Sequence, residues 1–66
     1  MRAYRTELGY KVSLGIDSVG SLYRAGTNDI DLYHKEIADL DWKPLDEAQA
    51  DLDMIASRNG LKEDRI

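Results

Sequence analysis

Thirteen consecutive residues, Tyr4 to Ile16, alternate in character without a break. The even positions are Tyr4, Thr6, Leu8, Tyr10, Val12, Leu14 and Ile16, and the odd ones are Arg5, Glu7, Gly9, Lys11, Ser13 and Gly15. A period of two puts the first set on one face of a sheet and the second in water. The β-branched and aromatic members of the apolar set suit a pleated surface. A chain with this segment is not an all-helical bundle, and its apolar face needs a cover. Thirteen residues is long for one strand, so Gly9 is expected to mark a bulge, a bend or a break into two strands.

The cover is written toward the other end of the chain. Leu45, Ala48, Leu52, Ile55 and Ala56 recur at steps of three and four, which places them on one face of a helix. Asp46 reads as the N-cap, its carboxylate accepting from the N–H of Gln49, with Gln49 reaching back as in a capping box. Leu45, before that cap, can staple onto the first turn. Asp46 and Glu47 suit the positive end of the helix dipole, and Arg58 and Lys62 the negative end. Gly60 after Asn59 is the expected left-handed stop, with Leu61 folding back on Ile55 or Ala56. The predicted helix therefore covers residues 46–59.

Between these segments, Asp17-Ser18-Val19-Gly20 reads as a turn, and Ser21 to Ala25 as a strand returning antiparallel. Gly26-Thr27-Asn28-Asp29 is a second turn or a helix start. Residues 29–40 fit two templates. Ile30, Tyr33, Ile37 and Leu40 fit a helix, with Thr27 or Asn28 as cap and Asp29 and Asp31 in its first turn. Ile30 and Leu32 also begin a third strand, but the alternation fails at His34 and Glu36, so the helix matches more positions. Pro44 disfavours helical geometry at Lys43 and separates the elements. Without a repeat, low-complexity tract or linker, residues 1–66 read as a single small domain. The expected class is α+β: a small antiparallel sheet from residues 3–25, packed against the C-terminal helix, with a second helix or third strand at 29–40. Its inner face would join Tyr10, Val12, Leu14 and Ile16 with Leu22, Ile37, Leu40, Leu52 and Ile55.

Sixty-six residues is a size at which a single core is marginal, so homodimerisation would help. The absence of cysteine excludes disulfides and thiolate metal sites and fits a reducing compartment. No apolar run approaches the roughly 18 residues of a membrane span, and no basic-then-apolar leader opens the chain, so a cytoplasmic protein with no membrane partner is expected. The style of residues 45–61 is similar to the C-terminal ends of many small bacterial and bacteriophage proteins, but no functional motif comes with it.

Charge is unevenly placed. Residues 1–28 hold four basic groups against two acids, whereas in residues 29–53 nine acids face Lys35 and Lys43. Such a concentrated negative field disfavours contact with nucleic acid and favours a basic protein partner. It also serves solubility alone. Around it, Asp39, Asp41, Trp42, Glu47, Asp51 and Asp53 form the candidate partner-binding surface. Trp42 reads either as a plug between helix and sheet or as a binding anchor.

Catalytic patterns fail on inspection. The pairs Asp29/Asp31, Asp39/Asp41 and Asp51/Asp53 lack the further oxygen ligands of a calcium loop, and residues two apart on a helix point about 200° apart. Gly15 to Ser21 echoes phosphate-loop spacing but lacks the lysine, and Asp17 would repel phosphate. Ser18 has no base in sight, His34 being the sole histidine. No enzyme, metal or cofactor is expected. The function expected is a small acidic interaction or regulatory module. Two alternatives stand beside it: an inhibitor of phage type that mimics DNA to a DNA-binding protein, and a weak nucleic-acid binder using Arg2, Arg5, Lys11 and Arg24 with Tyr4, Tyr10, Tyr23 and Tyr33 as stacking surfaces.

Overall fold

The computed structural model describes residues 1–64. Four antiparallel strands form one sheet: β1 (Tyr4–Arg5), β2 (Lys11–Ile16), β3 (Tyr23–Thr27) and β4 (Lys62–Glu63), in the order β3-β2-β1-β4. A short helix α1 (Ile30–Leu32) runs straight into a π-helical turn (Tyr33–Ile37), and the long helix α2 (Leu45–Asn59) follows. The class is α+β, with the helices packed on one face of the sheet. Among the described residues no helix is long and apolar enough to cross a membrane.

The alternating segment breaks into two strands at Gly9. Its φ of 93° is open to glycine and rare for other residues. The turn is closed by Gly9 N–H to Thr6 O and Thr6 N–H to Tyr10 O, both 2.9 Å, and by Tyr10 N–H to the Thr6 hydroxyl at 3.1 Å. Folding at this point takes Leu8 and Tyr10 out of the core, leaving Leu8 exposed and Tyr10 45% exposed. Tyr10 is therefore not in the core, and neither is Ile16 (51% exposed), which lies at the last pair of the β2–β3 ladder. The turn after β2 forms as expected, with Gly20 N–H to Asp17 O and Ser21 N–H to the Asp17 carboxylate.

Within residues 29–40 the chain is helical over Ile30–Ile37 rather than a strand, and the cap is Asp29 rather than Thr27 or Asn28. Asp29 is the N-cap, its carboxylate accepting from Leu32 N–H at 3.2 Å, while the Thr27 hydroxyl accepts from Asp29 N–H. That shift turns Leu32 inward and leaves Ile30 70% exposed. Ala38 N–H reaches back five residues to Tyr33 O, the π turn, and the carbonyls of Ile37 and Ala38 accept from the Arg24 guanidinium at 2.9 and 3.1 Å. An arginine from β3 thus satisfies the carbonyls that a helix end leaves open.

Helix α2 starts at Leu45, with Pro44 rather than Asp46 at the cap position and no side-chain cap bond. Pro44 O accepts the first intrahelical bond, from Ala48 N–H, while Asp46 accepts only from its neighbour Glu47 N–H. No capping box forms, because Gln49 is buried and bonded to the Arg2 backbone instead. The C-terminal end follows the prediction. Gly60 is left-handed (φ 65°, ψ 31°), Leu61 N–H bonds Ala56 O, and Leu61 packs on the core.

The core joins Val12, Ala25, Leu32, Ile37, Leu52 and Ile55, with Tyr4, Leu14, Tyr33, Leu40 and Leu61 packed around it. Leu22 stays half-buried at the margin. The chain leaving α2 returns as β4, pairing Lys62 with Arg5 and Glu63 with Tyr4. This fourth strand lies outside the predicted sheet; two residues are too short for a periodic signal.

Candidate functional site

Carboxylates of the 29–53 stretch divide into those bound within the chain and those left outward. Asp53 is bound. Its carboxylate pairs with the Arg2 guanidinium and accepts from Tyr4 OH (2.6 Å) and Gln49 Nε2 (3.0 Å). Gln49 Oε1 in turn accepts from Arg2 N–H at 2.9 Å, so the N-terminal segment is tied to α2 by a closed polar network. The Arg2 guanidinium, with help from Tyr4 and Gln49, holds the Asp53 carboxyl down at about 2 against the desolvation that opposes it. Tyr4, donating to Asp53, has its own pKa raised.

Glu36 is bound as well. Arg58 grips it through two nitrogens, at 2.6 and 2.9 Å, and Asn59 donates to it. Those donors, Arg58 foremost, hold its pKa below the usual carboxylate range. The pair fastens the π turn to the end of α2. On another side of that helix, Asp51 accepts from Lys43 Nζ at 2.7 Å. Lys43 has its pKa raised first by this bond and further by the fields of Asp41 and Glu47, so these groups share one neighbourhood.

Asp39, Asp41 and Glu47 remain exposed with no salt bridge among the described residues. Trp42 lies in the same segment and is 44% exposed rather than plugged between layers. The Arg24 guanidinium sits over its ring, 6.0 Å from the centroid. Arg24 is itself fixed by the Ile37 and Ala38 carbonyls, so the indole has a preset support. Backbone bonds between Tyr23 and Lys43, at 2.7 and 2.9 Å, lock the segment against the edge of β3. Of the six candidate residues, Asp39, Asp41, Trp42 and Glu47 thus offer outward groups, Asp51 adjoins them through Lys43, and Asp53 is held apart by its bonds to the N-terminal segment.

Of the four N-terminal cations considered for nucleic acid, two leave the sheet and two stay on it. Arg2 turns to Asp53, while Arg24 reaches the helix end. Arg5 and Lys11 meet Asp64 at 3.1 and 4.0 Å. Of the tyrosines, Tyr4 and Tyr33 pack on the core, which removes them as stacking surfaces. His34 and Ser18 are exposed, with the His34 ring edge-on to Tyr33 at 5.6 Å. Among the described residues no group of three His, Asp or Glu side chains converges as a metal site.

Sequence reasoning missed the cleft of about 480 Å³ that Leu8, Tyr10, Ile30 and Asp31 help to line. Its apolar members were assigned to an inner face that the break at Gly9 and the Asp29 cap turned outward. No protein-family model, curated protein or solved structure matches this chain.

Proposed function

We propose that the chain is a non-enzymatic interaction module that binds a basic protein partner through the surface around Trp42. One observation carries this reading: an indole exposed to solvent on one side and supported by a fixed arginine on the other. A large aromatic held in place before binding loses little freedom on association and is the residue type most enriched among interface hot spots. Asp41 and Glu47, whose fields meet at neighbouring Lys43, and the exposed Asp39 three residues before the indole supply negative charge, which steers a basic partner and raises its rate of encounter.

The test is quantitative affinity capture from the source cells, with wild type, Trp42→Ala, and an Asp39→Asn/Asp41→Asn/Glu47→Gln variant compared side by side. A basic protein should be retained by wild type, weakened roughly thirty-fold by Trp42→Ala, the hot-spot scale of about 2 kcal/mol, and released by moderate salt. Because Trp42 is the sole tryptophan, its emission should shift to the blue when that partner is titrated in. Identical capture by all three proteins would refute the reading.

A further inference from the structure

Strand alternation assigns a second, opposite surface to the sheet, away from the helices. Arg5 of β1, Lys11, Ser13 and Gly15 of β2, Arg24 and Gly26 of β3 and Lys62 of β4 fall on it, the Arg24 guanidinium being drawn off to the carbonyls of Ile37 and Ala38. The ladder registers Arg5 with Lys11 on one side and with Lys62 on the other, so three cations cross three strands in one row. Strands lie about 4.8 Å apart, which sets the row's spacing at the backbone. Lys62 is exposed and has no salt-bridge partner among the described residues. By register Glu63 shares the side of Tyr4, and Glu7 in the following turn borders the row.

Beside this row the floor is bare. Gly26 pairs with Ser13 and Gly15 with Arg24. Neither glycine has a positive φ. A Cβ on Gly26 would meet nothing within 4 Å, and one on Gly15 only the Arg24 carbonyl at 3.8 Å. Packing within the chain therefore requires neither glycine, although glycine inside a strand costs stability and marks places where something approaches the backbone. A depression of about 310 Å³ lies here, lined by Lys11, Ser13, Gly26, Thr27 and Asn28.

An anion already sits at the row. The Asp64 carboxylate lies 3.1 Å from Arg5 Nε and 4.0 Å from Lys11 Nζ, positioned by Asp64 N–H bonding Ala3 O. Both cations are about half exposed while the Asp64 side chain is 17% exposed, so solvent screens these pairs from the cation side, where an incoming anion would compete. We propose that this face binds the phosphate backbone of nucleic acid, with Arg5, Lys11 and Lys62 on neighbouring phosphates and Asp64 as the internal anion that the incoming phosphate displaces. Charge favours a polyanion here, since the row carries three cations against Asp64 and the bordering Glu7, with Glu63 of the opposite side lining the cleft beside Arg5 and Lys62. The unpaired acids Asp39, Asp41 and Glu47 lie in the 39–47 segment. No aromatic side chain projects from the strands on this face, so the contact is to phosphates rather than to stacked bases, and it is independent of sequence.

Fluorescence anisotropy with a labelled duplex DNA of about 20 base pairs, at ~20 and ~150 mM salt, tests this. Wild type should bind at low salt, Asp64→Asn severalfold more tightly, and Lys11→Gln/Lys62→Gln at least tenfold more weakly. The double variant should also lower the slope of log affinity against log salt by about 0.9 for each phosphate contact removed. Gly26→Val should melt no earlier than wild type yet lose binding, because its side chain occupies the floor without touching the fold. Absence of duplex binding by both wild type and Asp64→Asn would overturn the proposal. So would equal binding by the double variant, unimpaired binding by a folded Gly26→Val, or a preference for anionic vesicles or polyglutamate over DNA. Trp42→Ala should leave this binding unchanged, so its outcome is separable from that of the acidic surface.

Discussion

Asp53 accepts from Arg2, Tyr4 and Gln49 at once, so its charge holds three donors in place. Its folded pKa of about 2 lies below the ordinary 3.8, so the stability it contributes is fully present above pH 3.8 and is lost as pH falls through 2. Asp53→Asn should lower stability near neutral pH by about 1–2 kcal/mol, a figure reduced for a side chain one-third exposed, and should flatten the acid limb between about pH 4 and 2. Melts at stepped pH check this; an acid limb as steep as that of wild type would contradict it. Tyr4 works in the opposite sense. Its raised pKa contributes stability below pH 10 that is lost as pH rises through the folded value, so Tyr4→Phe should remove that alkaline loss. None of this network was legible in the sequence. Gln49 read as a capping residue and Asp53 as helix surface, because Arg2 and Tyr4 lie 47 to 51 residues away and no local pattern encodes such a distance. The one local bond, from Gln49 to Asp53 four residues on, is masked in the sequence by the capping-box pattern.

At the scale of elements, the ends decided what could be read. Gly60 was legible because a left-handed residue after a periodic helix leaves a local mark, and its φ of 65° confirms why glycine stands there. Gly60→Ala should cost roughly 1 kcal/mol or more, seen as a lower urea midpoint, since a Cβ opposes that conformation. Gly26→Ala is the control: its backbone is ordinary and the space beyond it open, so its midpoint should hold or rise. The start of α2 was less legible. Asp46 has the chemistry of a cap, but the first intrahelical carbonyl is that of Pro44, one residue before the helix begins. The π turn left no mark either. It is completed by Arg24 from a strand at the other side of a loop, a tertiary bond that local propensity does not contain.

Across the whole molecule, the two-layer class was legible because the alternation needed a cover and one helix had the face to supply it. The exact inner face was not, since a single break at Gly9 moved Leu8 and Tyr10 outward while Ala25 and Leu32 moved in. Small residues carry weak periodic signals, and Ala25 is buried by its position beside Leu14 rather than by its own hydrophobicity. The cluster that results is small, and Leu52, with no exposed surface, lies inside it. Leu52→Asp puts an unpaired charge there and should unfold the domain. Leu52→Ala is the graded version. Truncating a fully buried leucine typically costs about 2–5 kcal/mol, and a core of this size rarely supplies more than about 3–5. The alanine variant should therefore be partly unfolded near 37 °C and regain cooperativity on cooling toward the temperature of maximum stability, observable by circular dichroism. A Leu52→Asp protein with a melt like that of wild type would mean that α2 does not cover the sheet, and every surface assigned from that packing would have to be redrawn.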